Sequence, residues 1–173
     1  MLGSASAARQ YSVLVATILR FPEVASVSLD PFAREIRTQF LVRRALDGDE
    51  AAALRERLAD ALDGYAALER KEPPGLDLML TSDGSVTTVS AVWQADRLEV
   101  SGIGLFVELV REQLGDDLLV DAEASSATED GAEDDLYMGE EIIAEKLADL
   151  SRLRGERRLV ACRDEGRVIV YHR

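Results

Sequence analysis

A chain of 173 residues with 47% hydrophobic side chains can build one domain around its own core without disulfides or metal. Only 5% of the residues are aromatic, so that core must come mainly from Leu, Val, Ile and Ala. Its 33 acids against 20 bases give a formal charge of −13, which argues against general affinity for nucleic acid and against adhesion to an anionic membrane.

From Ala5 to Arg20, the apolar positions Ala7, Tyr11, Leu14, Ile18 and Leu19 follow helical spacing, and Phe21-Pro22 ends the helix. Val24 to Leu29 alternates, Asp30-Pro31 marks a turn, and Ile36, Thr38, Phe40 and Val42 share one face of a second strand. A β-hairpin is expected there. Asp47 and Glu50 have the spacing of a helix N-cap and its N3 partner, ahead of a stripe formed by Leu54, Leu58, Leu62 and Tyr65. Pro73-Pro74-Gly75 stops that helix. Leu76 to Thr81 and Ser85 to Trp93 read as strands around the Ser82-Asp83-Gly84 turn, and Arg97 to Ser101 as a third short strand. A helix is expected from Ile103 to Leu114, with Gly115 as its C-terminal cap, and Leu118 to Val120 as a possible strand after it.

Composition then changes. No base occurs between Arg111 and Lys146, while eleven acids fall from Asp116 to Glu141. Residues 123–135 therefore read as an acidic loop or linker between a core domain, 1–122, and a C-terminal α-β-β unit, 136–173. That unit combines a helix from Leu136 to Arg154, with Ile143, Leu147 and Leu150 inward, and a hairpin around Asp164-Glu165-Gly166. It is too small to stand alone and is expected to pack on the core or on another subunit. Hairpins dominate and no β-α-β series appears. The fold class is α+β, a mainly antiparallel sheet covered by helices.

Candidate chemistry is sparse. Gly102-Ile103-Gly104 is placed where a strand meets a helix, so Gly102 and Gly104 are the candidate ligand-binding residues, their N–H groups facing an anion. The third glycine of a dinucleotide fingerprint would fall at Val107, so a simple tight turn is the better account of the pattern. If Gly131 were the sixth residue of a calcium loop, its first and last ligands would be Ser126 and Tyr137, which cannot serve. Cys162 and His172 are the only thiol and imidazole. A three-residue hairpin loop sets Cys162 opposite Val168 and His172 opposite Arg158, roughly 13 Å apart, and a two-residue loop puts them on opposite faces. Neither register makes a dyad. Cys162 is expected in the core and His172 at the surface. No metal and no cofactor are expected. The one basic region, Ser151 to Arg173, holds seven arginines, which the chain's own acids or an acidic face of another subunit can neutralise. Aromatic stacking partners are nearly absent there, so nucleic acid is not the expected partner.

Residues 5–80 resemble the heavy-metal-associated, ferredoxin-like domain. The stretch Leu19-Arg20-Phe21-Pro22-Glu23-Val24 through Leu29 looks like its helix end and second strand, and Leu54 to Leu58 with Gly64-Tyr65 like its second helix. The family's two metal cysteines are absent from Met1–Ala8, as is its leading strand, so metal carriage is not implied. In such a sheet the missing strand lies beside the fourth, antiparallel to it, and Ser85 to Trp93 is the candidate to fill that slot. The order α-β-β-α-β-β-β-α is also similar to roadblock-type domains, which dimerise and regulate small GTPases.

The expected role is a non-catalytic interaction or regulatory protein, a homo-oligomer or the binder of a protein partner. The alternatives are a small-ligand or anion binder at Gly102–Gly104, or an enzyme using carboxylates that spacing does not single out. Arg9 is the only base ahead of the apolar run at Tyr11–Leu19 and no cleavage site follows, so a signal peptide is not expected. No membrane span is expected either, and the cytoplasm is the expected compartment. Lys71 and Lys146 are the only lysines, a codon signature of a GC-rich bacterial genome.

Overall fold

The computed structural model describes residues 2–122, 141, 143–145, 147–148 and 157–173, with side chains from Gln10 onward. Helix α1, Leu2–Arg20, turns Val13, Leu14 and Ile18 inward and stops where Pro22 cannot continue it. Strands β1, Ser26–Asp30, and β2, Glu35–Val42, form the expected hairpin. Its turn is held by the Asp30 carboxylate, which accepts from Phe32 N at 3.0 Å and Ala33 N at 3.1 Å. Helix α2, Gly48–Leu68, opens with the expected capping box: Asp47 accepts from Glu50 N at 2.8 Å, and Glu50 accepts from Asp47 N at 3.2 Å.

Strands β3, Leu76–Asp83, and β4, Val86–Gln94, are joined by Gly84-Ser85, with Gly84 at φ 59°, the sign that a tight hairpin needs. Helix α3, Val100–Leu114, follows directly. The third strand expected over Arg97–Ser101 does not form; that stretch is loop and the start of α3. Gly115 caps α3 at φ 51°, as its position predicts. Leu118 makes only an isolated bridge to Val42 rather than a strand.

The C-terminal hairpin pairs β5, Leu159–Asp164, with β6, Arg167–His172. Its loop has two residues, Glu165 and Gly166, both at positive φ (46° and 74°), the signature of a type I′ turn. Of the preceding helix, the described residues Glu141, Ile143, Ala144, Glu145, Leu147 and Ala148 are helical, and Ile143 and Leu147 are buried as expected. The acidic stretch 123–135 and Leu150 lie outside the described residues.

All six strands form one antiparallel sheet in the order β3-β4-β2-β1-β5-β6. The first four repeat the order of the fourth, first, third and second strands of a ferredoxin-like sheet. β4 therefore fills the slot of the missing leading strand, antiparallel to β3. The C-terminal hairpin extends the sheet past β1, so this α+β fold carries its appendage as two added strands.

The helices lie on one face. Phe106 of α3 sits edge-on to Phe40 of β2 and Trp93 of β4, with ring centroids 5.5 and 5.4 Å away. Trp93 also donates from Nε1 to Thr38 Oγ1 at 3.1 Å, so its polar edge is satisfied inside the core. Glu23, 2% exposed, is met by Arg111 of α3, whose guanidinium its carboxylate holds above the usual range. Thr87 organises the end of the sheet: its hydroxyl accepts from Leu46 N at 3.0 Å and donates to Arg44 O at 2.9 Å. Thr87→Val removes these two bonds and the 2.7 Å bond with Ser82 Oγ at a fully buried position while keeping the shape, and should cost about 1–3 kcal/mol in urea unfolding.

Arg163 ties the appendage to the core. Its guanidinium donates to the carbonyls of Ile18, Phe21 at 3.3 Å and Val24 at 3.1 Å, and to the Asp121 carboxylate at 2.9 Å. Arg158 reaches Asp30 at 2.7 Å. Two arginines of the basic tail are thus neutralised by the chain's own acids.

Candidate functional site

Among the described residues, a cavity and one end of the sheet combine exposure with apolar surface in a way that bears on function. The first is a cavity of about 280 Å³ between the last turns of α2 and the first turns of α3. Tyr65 of α2, Trp93 of β4 and Leu105 of α3 supply apolar wall, with Pro74 from the rigid Pro-Pro link. The chain reaches this link through Arg70, at φ 55° just past the α2 C-cap. On the other side, Arg97 N donates to Gln94 O at 3.0 Å, a turn that brings residues 97–99 back over the cavity.

Four charges edge its mouth. Lys71 and Glu99 pair at 2.7 Å, each holding the other in its charged form: the carboxylate sits below its usual range and the ammonium above. The folded-state shift of Glu99 favours stability above the ordinary carboxylate range and loses it as the pH falls; that of Lys71 favours stability below the ordinary lysine range and loses it as the pH rises. The pair is therefore intact at neutral pH. Arg97 and Glu72 are held only loosely, at 3.8 Å, and both are exposed.

The two glycines singled out by sequence separate here. Gly102 lines the cavity, and a Cβ added to it would meet no atom within 4 Å. Gly104 instead faces the Phe21 ring, 3.9 Å from where its Cβ would be. Both lie within the first turns of α3 rather than in a strand-to-helix turn. The N–H groups of Gly102 and Ile103 already bond to Glu99 O, at 3.0 and 3.2 Å. Sequence reasoning missed Lys71, Arg97 and Tyr65, because three separate stretches supply the cavity walls and only the fold brings them together.

The second place is the outer side of the sheet, away from the three helices. Its middle is polar and self-satisfied: Ser26 Oγ donates to Gln39 Oε1 at 2.6 Å, and Gln39 Nε2 to Ser90 Oγ at 3.1 Å. Its β5–β6 end is apolar. Cys162 pairs with Ile169 and Val160 with Tyr171, and Ile169 and Tyr171 are 43% and 45% exposed. Cys162 therefore lies half-buried on this outer side, not in the core as expected, because β5 pairs it with Ser26, whose side chain is on the outer face of β1, while Ala161 takes the core position beside Val27. His172 pairs with Leu159 on the inner side and meets the Tyr11 hydroxyl at 2.5 Å. Thiol and imidazole thus face opposite sides of the sheet.

Among the described residues, no three His, Cys, Asp or Glu side chains come together as a metal site, and no helix is long and apolar enough to cross a membrane. Compared with family models, curated proteins and solved structures, the chain matches none.

Proposed function

We propose that this chain is a non-catalytic interaction protein that self-associates through the β6 edge. The observation carrying this reading is the character of that edge. Among the described residues nothing pairs with its outer side, and the six-residue strand contains no Pro, Lys or inward-pointing acid to discourage pairing. Ile169 and Tyr171, backed by Val160 and Cys162, offer a strand-addition surface with an apolar flank. Charge selects a second copy as the occupant. Of the five arginines in residues 157–173, Arg158 and Arg163 are spent on Asp30 and Asp121, which leaves Arg157, Arg167 and Arg173 against Asp164 and Glu165 on a chain that as a whole is at −13. This slightly basic hairpin is matched to the acidic remainder of another copy rather than to that copy's own hairpin, which favours a head-to-tail contact.

Light scattering at high protein concentration should give a dimer or larger species that weakens with salt. Ile169→Lys should shift it to monomer, with unfolding changed by no more than about 0.5 kcal/mol, since the side chain is exposed. A wild-type protein that stays strictly monomeric would sink the reading. The cavity beside Gly102 favours a second one, small-ligand binding.

A further inference from the structure

We infer that the cavity between α2 and α3 is a binding site for a small apolar carboxylate, its tail against Tyr65, Trp93 and Leu105 and its acid group on Arg97. Size sets the first limit. At about 30 Å³ per water-sized group, 280 Å³ holds roughly nine such groups, the scale of a medium-chain or single-ring acid. The wall chemistry sets the second. Its described lining is mostly apolar, and the Trp93 Nε1–H is already spent on Thr38, so the interior asks for hydrocarbon rather than a polar body.

Charge at the mouth selects the head group. Lys71 is closely engaged by Glu99 at 2.7 Å, which leaves that carboxylate and that ammonium satisfied. Arg97 is the loosely held cation. Its partner Glu72 is 3.8 Å away with a side chain 84% exposed, so Glu72 can turn to water at little cost when another carboxylate arrives. A guanidinium is also the group best shaped to take a carboxylate through two parallel N–H bonds. A ligand amine would find Glu99 already engaged by Lys71, and Glu72, 84% exposed, holds a cation only weakly against water.

Gly102 completes the case. A side chain at this position would enter open space beside the cavity, and glycine is a poor helix former even in a first turn that asks for no positive φ. The glycine keeps open a volume that the fold itself does not need.

Trp93 is the only tryptophan and forms part of the wall, so its emission reports on the site directly. Octanoate added to the wild-type chain should give a saturable change in emission, with Kd on the order of 10–100 μM. 1-Octanol, of the same chain length without the charge, should bind about tenfold more weakly. Arg97→Gln should weaken octanoate by about tenfold and leave octanol unchanged. Gly102→Leu should abolish both responses while the unfolding midpoint holds or rises, which separates a filled site from a damaged fold. Ile169→Lys, on the other surface, should leave the titration unaltered. Equal affinity for octanoate and octanol, no saturable response up to about 10 mM, or unchanged binding in Gly102→Leu would each overturn the assignment.

Discussion

Arg163→Ala should lower the unfolding free energy by about 3–5 kcal/mol, among the largest effects of any single substitution in the C-terminal unit. The side chain is 14% exposed and bonds to three carbonyls at the end of α1 and the turn after it, besides Asp121, itself 17% exposed. Truncation leaves these carbonyls in a space that water enters poorly, and withdraws the cation from a shielded carboxylate. For a chain of this size the melting midpoint should fall by roughly 10 °C. Arg163→Lys keeps the charge but not the fork, so it should recover only part of the loss. Arg167→Ala, an exposed position four residues on, should change stability by no more than about 0.5 kcal/mol. Equal effects at the two arginines would show that charge alone matters in this hairpin. The measurement is a urea melt, with the midpoint moving and the slope unchanged.

Phe106→Ala should cost about 3–5 kcal/mol. Phe106 has no exposed surface and stands edge-on between Phe40 and Trp93, where it joins α3 to β2 and β4. The loss combines transfer of the ring, the cavity left behind, and the aromatic contacts, worth about 0.5–1.5 kcal/mol for each pair. Phe106→Leu refills most of the volume and should recover more than half of the loss. Thermal melts of both variants, followed by Trp93 emission, check the ranking: Ala well below Leu, and Leu below the parent.

The elements that local chemistry fixes were legible in the sequence. The Asp47–Glu50 capping box, the Gly115 cap, the hairpins and the placing of β4 beside β3 all follow from short-range patterns. The strand expected at Arg97–Ser101 failed because Leu98 and Val100 alternate like a strand yet are buried separately, one in the loop and one in the first helical turn. Gly102 and Gly104 looked like a turn, but burial of Ile103, Phe106 and Val107 outweighs their poor helix propensity. The C-terminal hairpin differs by one residue from the three-residue loop expected because Asp164 joins the strand, leaving Glu165 and Gly166 as the turn, both at positive φ. The role of Arg163 had no local signal at all. A charged residue in a strand looks the same whether it meets water or, as here, the carbonyls of a helix from the other end of the chain.

The place of β1 between β2 and β5 bears on how the chain reaches this shape. Its partner β2 is the next strand in sequence, while β5 arrives from the far end of the chain. Joining β5 to β1 closes a loop through almost the whole molecule, an entropy cost that only an already formed surface can offset. The two N-terminal hairpins and α2 close shorter loops, the longest joining β2 to β4, so their four-stranded sheet is expected to form first. The last pairing to form is then the one that Arg163 bolts, and until it does β1 is a raw edge. A nascent chain presents that edge to its neighbours before its own C-terminal hairpin has arrived to cover it.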